Sequence, residues 1–478
     1  MATEYPFLLA GQWRTSREHL EVRNPYNGDL IGVTFFGTED QLEESTEKAV
    51  QAFGEARRLT AFQRSQALRR LRELILRRET EFVETIVKEA GKPWKAAALE
   101  VQRALFTLET ASEEAKRIGG EVIPMDLISG VADVVGIAQR FPVGPVAAIT
   151  PFNFPLNLAL HKIAPALAVG NPIVIKPASK TPLTLLLLGQ LIGELGLPPG
   201  MVSVIPLTNQ RAGRMVADDR YKVLTFTGSA EVGWSLKAKA GKKRVVLELG
   251  GNAGVVVDQG APLERAVKRI VAGGYSYAGQ SCISVQRVFV HYEIFDLFTQ
   301  RLVEEVKALK VGDPMDRNTD VGPLIDEGAA RRTEEWCQEA IAQGASALVG
   351  GSARGNIFEP TVLVNVDPKS RVCRQEVFAP VVVLFPFHDF AQAIAAVNDT
   401  GYGLQAGVFT QSLEQALYAY QELEVGGVII NEVPTFRMDH MPYGGTKDSG
   451  LGREGLRYAI EEMTEIKLLA IHKLGVGR

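Results

Sequence analysis

Cysteine is scarce in this chain, with three residues among 478, namely Cys282, Cys337 and Cys373. They lie far apart and show neither the spacing of a disulfide framework nor that of a metal site. Such sparing use of cysteine is typical of a reducing compartment. The sequence therefore predicts a cytoplasmic protein without a metal centre.

The sequence also shows little that resembles a secretory signal, and it has neither a long apolar run nor a strong charge bias. The first 16 residues contain a short apolar run after Glu4 and no basic segment, which disfavours a secretory signal. The apolar stretch 183–192 is too short to span a bilayer. A net charge of −4 argues against nucleic acid or an anionic membrane as the main partner. We therefore expect a small-molecule partner.

Two different periodicities divide the chain. Residues 40–117 repeat apolar positions every three or four residues, which predicts helices broken at Gly91-Lys92-Pro93. After Pro142, short apolar runs alternate with helical stretches, which predicts parallel sheets covered on both faces. The predicted strands are 146–150, 172–176, 201–205, 222–226 and 244–249, then 254–258, 285–290, 381–385 and 426–430. The pattern predicts two α/β domains that meet near residue 248.

Two segments belong to neither series. Residues 121–141 are typical of a hairpin that interrupts the first domain, and 465–474 are typical of a terminal strand with no local partner. Because unpaired edge strands invite aggregation unless they are covered, we expect these segments to pair with each other or across a subunit interface.

Three polar residues stand at predicted strand ends or loops. Cys282 lies in "YAGQSCIS", although a lone cysteine is more often inert filler. Glu248 ends a buried strand in "LELGG", where burial would raise its pKa towards that of a general base. Asn153, fixed between the prolines of "PFNFP", could aim its amide at an oxyanion. Each also has a purely structural interpretation: a satisfied buried glutamate, or a turn.

A phosphate site is indicated by "TFTGSAEVG" (225–233), where a strand ends at Gly228-Ser229 and a helix follows. Backbone N–H groups at such a helix start can hold a phosphate. Strand–glycine–helix turns are common, and the G-x-G-x-x-G fingerprint of dinucleotide binding is absent after the early strands. From the residues alone, the phosphate reading and a plain turn stay open.

Taken together, the motifs resemble the aldehyde dehydrogenase superfamily over essentially the whole chain. The matching pieces, in the family's order, are "PFNFP", "KIAPALAVGNPIVIKPA", "FTGS", "LELGGN", "GQSC", "QEVFAPV" and "MPYGGTKDSGLGREG". The resemblance implies an α/β fold with three parts: a Rossmann-like cofactor-binding domain, an α/β catalytic domain and a small β oligomerisation element. We assign 1–120 and 142–247 to the first, 248–445 to the second, and 121–141 and 465–478 to the third.

The same resemblance implies an NAD(P)-dependent oxidation of an aldehyde to an acid. It makes Cys282 the nucleophile, Glu248 the general base, and Asn153 with the backbone N–H of Cys282 the oxyanion hole. Lys162 is a candidate for activating the thiol. The implied cofactor-binding residues are Thr150, Pro151, Phe152, Lys176, Ser179, Gly228, Ser229, Glu376 and Phe378.

Departures from the family pattern guide the finer predictions. NAD-preferring members often carry an acid three residues after Lys176, where this chain has Ser179 followed by Lys180, so we favour NADP over NAD. The loop 434–443 supplies Arg437, His440 and Tyr443, a polar set that suggests a small polar aldehyde, such as the hydroxyaldehyde lactaldehyde or the acid semialdehyde succinate semialdehyde. The alternative that Arg437 and His440 face solvent or a neighbouring subunit stays open. The predicted substrate-binding residues are Phe154, His161, Ser281, Ile283, Arg437, His440 and Tyr443.

Three alternatives stay open. A coenzyme A-acylating dehydrogenase is disfavoured because such members typically lack the glutamate of "LELGG". A catalytically silent binding or structural relative is disfavoured because the reactive residues are retained. A Cys–His hydrolase is disfavoured because no motif links a histidine to Cys282. The family resemblance also implies a homodimer or homotetramer.

Overall fold

The computed structural model describes residues 3–129 and 133–472. Within these ranges the strands are β1 Phe7–Leu9, β2 Gln12–Arg14, β3 His19–Arg23, β4 Leu30–Phe35, β5 Gly120–Ile123, β6 Val134–Pro142, β7 Val146–Ile149, β8 Ile173–Lys176, β9 Val202–Val204, β10 Val223–Thr227, β11 Arg244–Glu248, β12 Ala253–Val257, β13 Val285–His291, β14 Ser346–Val349, β15 Ala353–Arg354, β16 Ile357–Phe358, β17 Thr361–Val364, β18 Val381–Phe387, β19 Tyr402–Gly403, β20 Gln405–Phe409, β21 Gly427–Ile430, β22 Thr446–Lys447, β23 Gly450–Leu451 and β24 Thr464–His472.

The α-helices in the same ranges are α1 Glu39–Ala56, α2 Ala61–Arg77, α3 Glu79–Ala90, α4 Trp94–Glu114, α5 Asn157–Val169, α6 Leu183–Gly193, α7 Asn209–Ala217, α8 Ala230–Lys239, α9 Leu263–Tyr275, α10 Phe295–Lys307, α11 Glu327–Ala342, α12 Arg371–Arg374, α13 Phe390–Asn398, α14 Leu413–Glu422 and α15 Leu456–Glu462. Short 3₁₀ turns follow at Ser276–Gly279 and Tyr292–Ile294. None of these helices combines the length and the apolar character that crossing a bilayer requires.

The helical region before residue 117 follows its local signals. Thr38 and Thr60 begin α1 and α2 with capping boxes, in which the threonine hydroxyl and a glutamine three residues later satisfy each other's backbone N–H groups. Gly91 ends α3 in the left-handed conformation, and Pro93 precedes α4. The predicted break at Gly91-Lys92-Pro93 is therefore confirmed.

The first sheet has eight strands in the order β2-β1-β9-β8-β7-β10-β11-β23. Strands β9, β8, β7, β10 and β11 are mutually parallel, and β7, β8 and β10 are wholly buried, as their continuous apolar sequences predict. The chain order reverses between β7 and β10. In doubly wound sheets a ligand binds beyond the carboxyl ends of the strands at such a switch point.

The second sheet has seven strands in the order β14-β17-β18-β13-β12-β20-β21. Strands β17, β18, β13, β12, β20 and β21 are parallel to their neighbours in this sheet. The edge strand β14 pairs antiparallel with β17. Side chains of β12 alternate between two apolar cores: Val255 and Val257 face one, and Val256 faces the other. The predicted α/β fold is thus confirmed for both series of strands.

A third sheet joins the interrupting hairpin to the tail. Strand β24 pairs antiparallel with β6 over nine residues, from Thr464 opposite Pro142 to His472 opposite Val134, and β6 pairs with β5. Of the two expected arrangements, pairing within the chain is the one observed. Residues 130–132 of the predicted hairpin and 473–478 of the predicted tail lie outside the described residues.

Sequence reasoning missed the short N-terminal strands. Strand β1 adds to the edge of the first sheet through Leu8 opposite Val204, and β3 and β4 form a separate antiparallel pair. Three-residue strands such as β1 are too short to show a period, so only the paired sheet reveals them.

Candidate active site

The loop that carries Cys282 is held in an unusual backbone conformation. Tyr277 and Ala278 both have positive φ angles, of 51° and 52°, and Gly279 follows at 68°. Such angles are costly for residues with a Cβ and persist only where surrounding packing enforces them. A Cβ on Gly251 would lie 2.2 Å from the carbonyl oxygen of Cys282, so the segment after β11 passes directly against this loop.

The Cys282 thiol is half-buried and has one polar contact at hydrogen-bond distance, the hydroxyl of Tyr443, with Sγ and Oη 3.0 Å apart. Burial raises the pKa of the thiol to about 12, and the negative charges of Glu376 and Glu248 act in the same direction. The Tyr443 hydrogen bond and the charge of Arg437 lower it. The site therefore needs help to ionise the sulfur.

Lys162 has other partners. Its ammonium donates to the hydroxyls of Thr225 and Thr227, at 3.1 and 2.7 Å, and to Glu454 at 3.3 Å. Its charge lowers the pKa of Glu248, whereas Arg437 is the cation that lowers the pKa of Cys282. Direct activation of the thiol by Lys162 stays a prediction, and the structure does not bring the two side chains together.

Glu248, the last residue of β11, is buried, and neither carboxylate oxygen has a hydrogen-bond partner among the described residues. Burial and the nearby charge of Glu454 raise its pKa well above the ordinary value. A buried carboxylate without a donor is costly unless it serves a purpose. An unpaired, high-pKa carboxylate suits a group that takes a proton from water.

Asn153 is buried in the loop after β7, and its Nδ2 donates to the backbone carbonyl of Gln280 at 3.0 Å. Because Nδ2 carries two hydrogens, one remains for a ligand. Gln280 is two residues from Cys282, so this bond fixes the amide beside the thiol.

Two cavities meet at these residues. The larger, about 740 Å³, lies at the switch point of the first sheet and is lined by all nine predicted cofactor-binding residues. The smaller, about 300 Å³, is lined by five of the seven predicted substrate residues: Phe154, Ser281, Ile283, Arg437 and Tyr443. The residues that line both are Leu158, Thr227, Glu248 and Cys282. The thiol and the carboxylate therefore stand where the two cavities join.

Comparison with known proteins agrees with this geometry. A sequence profile of the aldehyde dehydrogenase family matches residues 13–469. The chain belongs to the aldehyde dehydrogenase family. Its predicted class, an NAD(P)-dependent aldehyde dehydrogenase, is confirmed.

Three similar proteins illustrate the relationship. The chain is 42% identical over 470 residues to a 3-sulfolactaldehyde dehydrogenase of Priestia aryabhattai, which covers 98% of each chain. It superposes on aldehyde dehydrogenase 21 of Physcomitrella patens, solved with the reaction product succinate, with a TM-score of 0.98, 42% identity and full coverage of both chains. A glyceraldehyde-3-phosphate dehydrogenase of Methanocaldococcus jannaschii complexed with NADP gives a TM-score of 0.92 at 38% identity, covering 96% of this chain and 100% of that one.

Two predicted substrate residues of this aldehyde dehydrogenase do not line the smaller cavity. His161 is buried behind it, with Nε2 2.8 Å from a carboxylate oxygen of Asp439. His440 is exposed and packs edge-on against Phe106. Helix α5, which carries His161, is buried on every side, so its sequence gave no amphipathic signal of which face lines the site.

A buried ionic network supports the smaller cavity, and sequence reasoning did not find it. Glu454 accepts a hydrogen bond from the Arg437 guanidinium at 2.9 Å. Against the effect of burial, the charges of Lys162, His161 and Arg437 hold the pKa of the Glu454 carboxyl at about 2. Asp439 accepts two hydrogen bonds from Arg103 and one contact from His161, which hold the pKa of its carboxyl far below the usual range. Glu454 lies in the quoted "GREG" motif, so a signal was present, but its partners are known only from the fold.

A second buried pair anchors the segment that follows Asn153. Lys92 and Glu100 form a fully buried ion pair, with the Lys92 ammonium 3.7 Å from the centre of the Phe154 ring. The other oxygen of Glu100 accepts the backbone N–H groups of Leu156 and Asn157, at 2.9 and 3.1 Å, at the start of α5. Glu100 thus fixes the chain on the far side of the Asn153 loop.

The residues of the larger cavity fit a dinucleotide. The ammonium of Lys176 is buried, bonds only the Pro177 carbonyl among the described residues, and has its pKa lowered to about 8 by burial. Glu376 accepts one backbone N–H, from Gly251, and burial raises its pKa to about 7. Helix α8 begins after Ser229 without a side-chain cap bond. Polar groups with spare hydrogen-bonding capacity and an uncapped helix start suit the hydroxyls and phosphates of NAD(P).

Proposed function

We propose that this enzyme oxidises a small aldehyde bearing a hydroxyl or acid group to the carboxylic acid, through a covalent intermediate on Cys282. The observation that carries the proposal is that Cys282 and Glu248 both line both cavities, so a carbon bound to Sγ is open to the two cavities and lies at the same junction as Glu248. The roles of the individual residues follow from this placement.

In the first step Cys282 Sγ, as thiolate, bonds to the carbonyl carbon, and the carbonyl oxygen becomes an oxyanion. The remaining N–H of the Asn153 amide and the backbone N–H of Cys282 donate to that oxygen. These donors stand fixed before the reaction, so the charge is stabilised without reorganisation.

The second step removes hydride and the third removes the product. NAD(P) held by residues such as Lys176 and Glu376 would supply the hydride acceptor, and loss of hydride from the former aldehyde carbon leaves a thioester on Cys282. Glu248 then takes a proton from water, the water oxygen bonds to the thioester carbon, and the Cys282 thiolate leaves as the acid is released. Because Glu248 is present and buried at this junction, we favour water over coenzyme A as the acceptor of the acyl group.

For the cofactor, we favour NADP. Lys176 and Ser179 both line the larger cavity, and Lys180, next in the chain, lies at its rim, paired at 3.1 Å with Asp326. A neutral Ser179 beside two lysines accommodates a 2′-phosphate, which a carboxylate there would repel. The complex of the similar Methanocaldococcus enzyme with NADP supports this assignment.

For the substrate, charge and size favour a short acid-bearing aldehyde. The smaller cavity, about 300 Å³, is lined by four cations, Lys92, Arg103, Arg269 and Arg437, against three carboxylates, Glu100, Glu248 and Glu454, so cations are in excess. The similar Priestia enzyme is named for 3-sulfolactaldehyde, an acid-bearing aldehyde. The similar Physcomitrella enzyme was solved with succinate, a dicarboxylate product. Succinate semialdehyde and sulfolactaldehyde are therefore the first substrates to try, with lactaldehyde as the uncharged hydroxyaldehyde.

The test is a panel of acidic, hydroxylated and hydrocarbon aldehydes, each assayed for kcat/KM with NAD and with NADP. We expect the highest values for acid-bearing aldehydes with NADP. Arg437→Ala should raise KM for acidic aldehydes selectively. An equal rise for neutral aldehydes would show that Arg437 acts through the fold, and a preference for hydrocarbon aldehydes would overturn the substrate proposal.

We also propose that the enzyme forms a homodimer or homotetramer through β24. Strand β24 pairs with β6 on one side, and Ile466, Leu468, Leu469 and Ile471 on it are exposed apolar side chains. Contiguous exposed apolar residues on an edge strand mark an interface. Sedimentation of the wild type should give a dimer or tetramer mass, and Leu468→Glu should reduce it; a monomeric wild type would contradict the proposal.

A further inference from the structure

We infer that Tyr443 is a catalytic residue that donates a hydrogen bond to the Cys282 thiolate, and that Arg437, stacked on the Tyr443 ring, is a positioning residue that makes this donation stronger. The inference rests on the proposed role of Cys282 as nucleophile. It assigns both residues to the reacting sulfur, beyond the substrate contacts expected from the sequence.

The geometry places the Tyr443 hydroxyl on the sulfur. Oη lies 3.0 Å from Sγ, and Tyr443 is almost fully buried, so the phenol side chain is shielded from solvent where it meets the half-buried sulfur. Tyr443 and Glu454 exchange backbone hydrogen bonds in both directions, which fixes the ring. The phenol is therefore a preorganised donor to the sulfur.

Arg437 acts on the ring from its face. Its guanidinium lies 3.6 Å from the centre of the Tyr443 ring, and its side chain is buried. A salt bridge to Glu454, the residue that also holds the Tyr443 backbone, fixes the guanidinium there. Arg437, Glu454 and Tyr443 thus form one rigid unit against Cys282. A cation over an aromatic face at this distance is strongly attracted when desolvated.

The surrounding charges explain why the sulfur needs this unit. Glu376 and Glu248 both face Cys282 and raise its pKa, in addition to burial. Arg437 and the Tyr443 hydrogen bond oppose them. Around Tyr443, Arg437 likewise lowers the phenol pKa against the effects of burial, Cys282 and Glu248. The ammonium of Lys162 is engaged elsewhere, by Glu454 and two threonine hydroxyls.

The same hydrogen bond serves two steps. Below its pKa the thiol is ionised in only a small fraction of molecules, and stabilising the thiolate enlarges that fraction faster than it reduces the nucleophilicity of the sulfur. When water attacks the thioester, the sulfur leaves as thiolate, and the same phenol stabilises it again. A phenol donor to a buried thiolate should lower the thiol pKa by about one to two units.

The experiment compares Tyr443→Phe with the wild type in the full-length enzyme without cofactor. The rate at which iodoacetamide alkylates Cys282 is measured against pH, with modification quantified on the Cys282 peptide by mass spectrometry. We expect the Tyr443→Phe profile to shift upward by about one to two pH units and the rate at neutral pH to fall about 3- to 10-fold.

Tyr221→Phe is the matched control, since the Tyr221 phenol is also buried and hydrogen-bonded, to Thr46 Oγ1 at 2.8 Å, and lines neither cavity. Its alkylation profile should match that of the wild type. Coincident profiles for Tyr443→Phe and wild type, or an equal shift in Tyr221→Phe, overturn the role of Tyr443. Arg437→Gln should shift the profile in the same direction, and Arg437→Lys, which keeps the charge and serves if the glutamine variant does not fold, should shift it less. An unshifted profile in both removes Arg437 from the inference.

This test is separate from that of the proposed function. If Cys282→Ala retained aldehyde oxidation, the covalent mechanism would fail whatever the alkylation profile showed. If Cys282→Ala is inactive and the Tyr443→Phe profile is unshifted, the mechanism stands and only the role of Tyr443 fails.

Discussion

The two cavities that meet at Cys282 differ in how their charges are compensated. In the smaller cavity, the proposed substrate cavity, each lining cation has an acidic partner: Lys92 with Glu100, Arg103 with Asp439, Arg269 with Glu432 and Arg437 with Glu454. In the larger cavity, the proposed cofactor cavity, the ammonium of Lys176 and the guanidinium of Arg332 each donate to a backbone carbonyl.

This difference indicates two ways of meeting a ligand. A wall of paired charges is rigid and already satisfied, so it would select the proposed short polar substrate mainly by shape. Polar groups without charged partners gain most when a ligand arrives, because the ligand supplies the missing contacts. Glu248 lines both cavities, and like the polar groups of the larger cavity it has no charged partner bonded to it among the described residues.

The largest effect is expected where the cavities join. Cys282→Ala removes the atom that both ligands approach, so aldehyde-dependent NAD(P)H formation should fall by on the order of 10⁴-fold or more. NADP binding, measured by calorimetry, should persist, since the cofactor residues are untouched. Substantial activity in this variant would mean that hydride passes from the aldehyde to the cofactor without a covalent intermediate on Cys282.

The next effect separates the two half-reactions. Glu248→Gln keeps the shape of the side chain but cannot take a proton from water, so steady-state turnover should fall by about 10²- to 10⁴-fold. A burst of NAD(P)H equal to the enzyme concentration should remain, because hydride transfer precedes hydrolysis.

The pH dependence of turnover checks the same carboxylate. Its raised pKa means that the wild-type rate should increase with pH over a range above that of an ordinary glutamate, as the carboxyl loses its proton. Glu248→Gln should lose that rising limb. A variant without a burst, or with the wild-type pH profile, would contradict the assigned role.

The contrast in charge pairing predicts opposite effects of two lysine substitutions on stability. Lys92→Met leaves the fully buried Glu100 carboxylate without its cation and should lower the free energy of unfolding by about 3–5 kcal/mol. Lys176→Met removes a buried ammonium that has no acidic partner and should leave the free energy of unfolding unchanged or raise it. Urea unfolding at neutral pH measures both.

Two checks sharpen this result. Lys92→Met/Glu100→Gln should recover part of the lost stability, because the unpaired charge is gone. The folded-state pKa of Lys176, about 8, lies below the ordinary 10.5, so the unfolded chain binds the extra proton between these values. The wild type should therefore gain stability relative to Lys176→Met as pH rises through that window. Equal destabilisation by both lysine substitutions would show that the cavities do not differ.

Sequence reasoning recovered the parts of the molecule whose signal is local. The strands 146–149 and 223–227 are continuous apolar runs because both faces of the sheet are covered, and the reactive residues stand at the ends of such runs. The ion pairs of the substrate cavity were missed, since Arg103 and Asp439 lie 336 residues apart and neither has a recognisable local pattern. The contact between Tyr443 and Cys282 is likewise a property of the fold, across 161 residues.

The smallest effect tests the cofactor cavity alone. Ser179→Glu would set a carboxylate beside the proposed 2′-phosphate, so the ratio of kcat/KM for NADP to that for NAD should fall by about 10- to 100-fold. Ser179→Gln is the matched control, since it adds nearly the same volume without charge and should change the ratio much less. If both variants lower the ratio equally, bulk and not charge sets the preference. If neither changes it, Ser179 does not read the 2′ position, and the absence of an acid there does not explain a preference for NADP.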